Sequence, residues 1–227
     1  MSSTDLYIGV IEFIVLLFSL SVHESAHAWT ANALGDPTAK FLGRVSLNPV
    51  VHIDPIGTLL LPLMGIFLSG FLFGWAKPVP VSPNRLGNPK RDYMLVSAAG
   101  PASNFLLAAL SFIILMMLKA TSPESADVVR TIASGYPPTG DGIIVPLAMV
   151  AFYGIIINVI LGVFNLIPIS PLDGSGILSG ILPRPVQGFI YSMQSYGMLV
   201  IMLLVVLGIP SYFYGPVIHV LRSFLVS

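Results

Sequence analysis

His23-Glu24-Ser25-Ala26-His27 sets two imidazoles four residues apart, with a carboxylate beside the first. On an α-helix, positions four apart lie about 40° from one another around the axis and one turn along it. Two imidazoles so placed can meet one zinc ion at about 2.0–2.1 Å, and the neighbouring carboxylate can act as a base on a water there. In a soluble chain the same five residues would read equally well as a polar helix surface. Here they interrupt a run of residues suited to hydrocarbon, where ionisable side chains are costly and mark functional positions. The metal reading is therefore preferred.

A catalytic zinc takes three protein ligands and keeps one position open. The chain has no cysteine, so the third ligand must be a histidine or a carboxylate. His52 lies in a Pro-rich connection and His219 near the end, and both read as interfacial residues rather than ligands. Asp173, at the end of an apolar run and just before Gly174, is the only acid between Asp141 and the C-terminus. It reads either as a turn or helix-cap aspartate or as the missing ligand. The need for a third ligand favours the second. Two imidazoles and a carboxylate suit zinc, and iron or cobalt would also fit.

The elements that must carry these residues are those of a membrane protein. Of 227 residues, 55% are hydrophobic and only 9% charged, against about 25% charged in a soluble domain. Ten basic residues balance ten acidic ones, leaving no basic footprint for nucleic acid. Without cysteine, disulfides and thiolate zinc sites are excluded as well. A transmembrane helix needs about 20 apolar residues. Five stretches qualify: 7–34, 57–76, 93–118, 143–169 and 186–209. Residues 212–226 are apolar but short, broken by Gly215 and Pro216. The expectation is an all-α polytopic membrane protein, a single membrane-embedded domain over 1–227. Its catalytic core spans about 7–178, and a C-terminal span and tail occupy 186–227.

Three motifs stand in order along this chain: HESAH in the first span, Gly100-Pro101-Ala102-Ser103-Asn104 in a middle span, and Asn165-Leu-Ile-Pro168-Ile-Ser-Pro171-Leu-Asp173-Gly174 later. Together they resemble the site-2 protease family of intramembrane zinc metalloproteases. The resemblance implies one zinc ion held by His23, His27 and Asp173, Glu24 as general base, and hydrolysis of peptide bonds in transmembrane or membrane-proximal segments of substrate proteins. It also implies contact of Asn165 with the substrate or transition state; a buried interhelical hydrogen bond is the plainer account of the same residue. Gly100, Pro101 and Asn104 are implied to serve core packing near the substrate path. Many relatives carry a PDZ domain between the last core spans, for which residues 119–142 leave no room. This looks like a minimal form, without a PDZ or CBS domain.

Zinc geometry also constrains the topology. His23 lies near the far end of the first span, and Asp173 follows the span 143–169, so both spans must end on one side. A full crossing by 57–76 would separate the ligands by much of a hydrocarbon core about 30 Å thick. That stretch, with Gly57, Pro62, Gly65, Gly70 and Gly74, is therefore expected to be re-entrant. One side then holds Lys40, Arg44, Lys77, Arg85, Lys90, Arg91 and Arg184, and the other Lys119, Arg130 and Arg222. Seven against three puts the active site toward the cytoplasmic side.

Residues 77–83, Lys-Pro-Val-Pro-Val-Ser-Pro, offer a weak edge to an extended substrate. Glu12, about 16 Å before His23, reads as a carboxylate reaching water near the membrane surface. Transmembrane proteins as substrates and the lipid bilayer are the expected partners. The competing readings of the same residues are a metal-transporting membrane protein and a scaffold that binds transmembrane partners without cutting them.

Overall fold

The computed structural model describes residues 3–68, 74–137, 142–183 and 194–226. Nine α-helices are seen among them, with no strand: α1 (Ser3–Ala33), α2 (Thr38–Phe41), α3 (Leu61–Leu68), α4 (Pro89–Lys119), α5 (Pro123–Ala133), α6 (Ile144–Asn165), α7 (Asp173–Ile181), α8 (Gln194–Val206) and α9 (Ile209–Val226). Three of these, α1, α4 and α6, are long and apolar enough to cross a membrane.

Local sequence explains where the long helices begin and end. At the end of α1, Gly35 takes a left-handed φ of +107°, a conformation that suits a residue without Cβ. The Asn88 side chain caps the start of α4 by accepting from the Arg91 N–H, with Pro89 at the first helical position. Pro101 lies inside α4 without ending it, although it removes one intrahelical donor.

The three spanning helices pack through small and apolar faces. Ile11, Val15, Leu16 and Leu20 of α1 form one core with Ala108 and Leu115 of α4 and Ala148, Met149, Phe152 and Ile155 of α6. The outward faces are equally apolar: Ile14, Phe18, Leu106, Ile113, Leu147 and Val150 are exposed. In water such a surface would associate. In a bilayer it is solvated by lipid chains, so packing and buried polar contacts hold the helices together. α7 lies against α4 at glycine distance: a Cβ on Gly176 would meet Ser97 Oγ at 2.1 Å. This close approach holds α7, whose first residue is Asp173, against the N-terminal half of α4.

The five apolar stretches thus correspond to three spanning helices among the described residues. Stretch 57–76 holds a π-helical turn (Pro55–Leu60) running into the short α3, and residues 69–73 within it lie outside the described residues. Its two ends meet: the Trp75 N–H donates to the Gly57 carbonyl (3.1 Å), and Thr58 Oγ1 donates to the Trp75 carbonyl (2.7 Å). Hydropathy records a preference for lipid, whereas Pro and Gly decide whether the backbone runs straight through it. In stretch 186–209, residues 186–193 and the adjacent Arg184 lie outside the described residues, and α8 covers 194–206. The tail forms α9 through Pro216. The polar connection 119–142 contains the amphipathic α5, capped by the Ser122 hydroxyl on the Ser125 N–H.

Candidate metal centre

His23 and His27 project from α1 toward the carboxylate that opens α7. His23 Nε2 lies 3.1 Å from Asp173 Oδ2, His27 Nε2 lies 3.3 Å from Asp173 Oδ1, and the two Nε2 atoms are 3.1 Å apart. These residues form the metal-ligating cluster among the described residues, with both histidines buried. Asp173 makes no side-chain cap on its own helix, so the cap reading of this aspartate is not realised.

The protons on the imidazoles follow from their other partners. His27 Nδ1 is 2.7 Å from the Val96 carbonyl, which can only accept, so Nδ1 carries the proton and Nε2 is left with a lone pair. His23 Nδ1 is 2.6 Å from Asn104 Oδ1. Asn104 Nδ2 donates to Asn158 Oδ1 (2.8 Å), and Asn158 Nδ2 donates to Ser19 Oγ (2.9 Å) and the Gly154 carbonyl (2.9 Å). In this chain of amides the Asn104 oxygen accepts, so His23 also keeps its proton on Nδ1. Two lone pairs and a carboxylate then converge within one triangle. Such a set repels itself unless a cation lies among its members. A tetrahedral zinc with ligands at 2.0–2.1 Å separates them by about 3.3 Å, close to the spacing found. Asp173 Oδ2 has no hydrogen-bond partner although it is buried, as suits a ligand oxygen. The donor set fits zinc.

Gly100 makes this convergence possible. A Cβ there would stand 2.4 Å from His27 Nε2 and 2.6 Å from His23 Nε2. Gly100, Pro101 and Asn104 are all buried in α4. The packing expected of them is present, but Asn104 and Gly100 also act directly on the histidines, a role that residue types alone did not disclose. Asn158 and Ser19 were missed altogether; each is an unremarkable polar residue until three helices bring them together.

Glu24 lines the same cavity as the cluster, and its Oε2 accepts the Val79 N–H at 2.8 Å. The segment carrying Val79 is itself tied down. The Lys77 N–H donates to the His52 carbonyl (2.9 Å), Arg44 Nη2 donates to the Lys77 carbonyl, and the Ser82 N–H donates to Asp36 Oδ2 (2.6 Å). The donors at 77, 79 and 82 are thus occupied by the protein itself, which leaves little of an edge for a substrate. Arg44 is buried, although it reads in sequence as a loop charge. Burial pushes its guanidinium below its ordinary pKa, and the Glu24 carboxylate nearby opposes that shift. His52 is also buried, with Nε2 2.8 Å from the Ser46 carbonyl and 3.4 Å from Ser25 Oγ, so it is a structural residue rather than an interfacial one. His219 lies on α9, outside the metal-ligand cluster. Asn165 borders the cavity, and its Nδ2 donates to the Leu161 carbonyl one turn earlier (3.0 Å) rather than to another helix.

The chain is similar to known proteins over most of its length. YwhC of Bacillus subtilis, named as a zinc metalloprotease, is 35% identical over 212 residues, covering 92% of this chain and 86% of that protein. Rip2 of Mycolicibacterium smegmatis, likewise named as a zinc metalloprotease, is 31% identical over 202 residues, 88% of this chain and 69% of its own length. No solved structure matches significantly. The family model described as Peptidase family M50 matches residues 11–208, and the chain belongs to that family.

Proposed function

We propose that this integral membrane peptidase is a zinc endopeptidase that cuts transmembrane or membrane-proximal segments of other proteins, with its site toward the cytoplasm. The observation that carries the reading is the convergence of His23, His27 and Asp173 beside Glu24 in a cavity lined mostly by apolar residues. His23, His27 and Asp173 would hold the ion. Zinc there supplies Lewis acidity, polarising a carbonyl and lowering the pKa of water to about 7.

The remaining work falls to the chain. Glu24 takes a proton from water at Oε1 while the Val79 N–H keeps Oε2 in place, and then delivers it to the leaving amine. Asn165 lends its amide to the developing oxyanion, a type of contact worth ~3–4 kcal/mol elsewhere. Asn104 and the Val96 carbonyl hold the imidazoles in the tautomers that face the ion. The meeting of Gly57 and Trp75 supports a segment that enters the bilayer and leaves on the same side, so that the histidines of α1 and the end of α6 that leads to Asp173 share one level.

The test is Glu24→Gln in purified protein with a model transmembrane substrate. The expected result is full metal content with cleavage lost by at least a thousandfold (three decades, ~4 kcal/mol). Retained cleavage would remove Glu24 as the base. Metal flux into vesicles without any cleavage by the wild type would favour a transporter instead.

A further inference from the structure

The cavity beside the metal-ligand cluster continues well past it. Its volume is about 820 Å3, and its lining runs from Asp173, His23 and Glu24 along α1 to Glu12. Glu12 precedes His23 by 11 residues, about three turns, and so lies about 16 Å from it along the helix. Leu16, Leu20 and Ile157 line the interval. The cavity thus has two polar ends joined by an apolar middle.

Glu12 is half-buried rather than solvated, and no hydrogen bond or ion pair engages its carboxylate among the described residues. Tyr153, also in the lining, lies within electrostatic reach of both Glu12 and Arg222. Arg222 itself sits over the Phe152 ring, 5.9 Å from its centroid, and is not paired with Glu12. An ionisable group kept inside a spanning helix without a partner is costly unless function supplies one.

The chemistry decides which form of polypeptide fills this interval. A peptide bond within a helix has its N–H and C=O hydrogen-bonded along the axis and sheathed by side chains, so a segment presented to Glu24 and the ligand cluster must be unwound. At about 3.3 Å per residue, an extended chain covers 16 Å in about five residues.

Resting on the endopeptidase reading, we propose that Glu12 is a specificity subsite for a Lys or Arg of the substrate. The cation lies about five residues from the scissile peptide, in a segment that is extended and apolar between the two. Its ammonium or guanidinium donates to the Glu12 carboxylate, and each charge supplies the other's partner.

The test uses the full-length, zinc-loaded protein in phosphatidylcholine–phosphatidylglycerol vesicles. The probes are single-pass Leu/Ala substrates carrying one Lys, moved from two to eleven residues from the scissile bond on either side, with a Leu-only substrate as reference. The expected profile peaks near five residues on one side, with kcat/KM about tenfold above the reference. Glu12→Gln flattens that profile, and Glu12→Lys shifts the preference to a substrate Glu at the same position. A flat wild-type profile, a peak that survives Glu12→Gln, or a peak at eleven residues would each overturn the proposal. If the wild type cleaves no substrate in the series, the Leu-only one included, the endopeptidase reading itself has failed; a flat profile of measurable rates sinks the subsite alone.

Discussion

His23 and Asn104, 81 positions apart in the chain, share a buried 2.6 Å hydrogen bond that fixes which imidazole nitrogen faces the ligand cluster. Asn104 is in turn held by Asn158, and Asn158 by Ser19 of α1, so one amide chain ties α1, α4 and α6 together at the depth of the site. Helix packing and metal geometry are therefore set by the same side chains. Polar contacts of this kind are what remains to specify a membrane bundle once the hydrophobic contrast between inside and outside is gone.

The first prediction separates those two duties. Asn104→Leu removes the acceptor for the His23 Nδ1–H and is expected to weaken zinc binding by about 10–100-fold. Asn104→Asp keeps an acceptor for His23 but loses the donor to Asn158, so it should bind zinc nearly as tightly as the wild type while unfolding at a lower temperature. Competition against a zinc chelator measures the first effect and thermal unfolding in detergent the second. Equal zinc affinity in Asn104→Leu and the wild type would refute the orienting role.

Gly100→Ala is the second. The added Cβ would press on His27 Nε2 at 2.4 Å and on His23 at 2.6 Å, and both rings are pinned through their Nδ1 atoms. Neither ring can turn aside without breaking that bond. Overpacking of this kind costs about 1–3 kcal/mol, which falls on the ligand cluster rather than on the whole bundle. The expected outcome is a folded protein with zinc stoichiometry well below one per chain by metal analysis. Full stoichiometry would mean that the rings have room to yield.

These two residues also show what a single sequence conveys. His23, Glu24, His27 and Asp173 were legible because metal chemistry admits few residue types, and an ionisable group amid apolar ones is conspicuous. Gly100 and Asn104 were legible as a motif but not as parts of the site, since their contacts depend on how α4 crosses α1. Arg44 was legible only as one of the loop charges, since nothing in the residue types around it shows that the fold closes over it. The course of 57–76 was legible only in part for a related reason: composition reports the preferred solvent of a segment and says little about whether its backbone runs straight through.

The third prediction concerns pH. Asp36, fully buried just after α1, accepts from the Thr38 hydroxyl, the Thr38 N–H (3.0 Å) and the Ser82 N–H (2.6 Å). Burial alone would raise its carboxyl, but these bonds, aided by Arg85, prevail and hold it below the ordinary value. A depressed pKa means that the fold prefers the ionised form. Its stabilisation is complete above the unfolded value of about 3.9 and disappears as pH falls through the lower folded value. Asp36→Asn should therefore cost about 2–3 kcal/mol at pH 7, with the gap to the wild type closing in acid. Thermal unfolding of both proteins between pH 7 and pH 3 checks this, and a gap independent of pH would contradict it.

The fourth follows Arg44. Its guanidinium donates to the Lys77 carbonyl, and two residues further on the Val79 N–H donates to Glu24 Oε2. Lys77 is also held through its N–H by the His52 carbonyl, and His52 by the Ser46 carbonyl, to which Ser25, the residue after Glu24, donates as well. The segment 77–79 thus holds Glu24 and the connection 44–52 holds its neighbour Ser25, and Arg44 joins the two. Arg44→Met should let the Val79 donor drift from the carboxylate while leaving the three ligands untouched. A misplacement of about 1 Å at a reacting group costs up to about a hundredfold in rate. The expected signature is a kcat lowered by about 10–100-fold with KM and zinc content unchanged, and partial recovery in Arg44→Lys, which retains one donor and the charge. Loss of zinc together with kcat would instead assign Arg44 to holding the fold, because the ligand cluster does not otherwise depend on it.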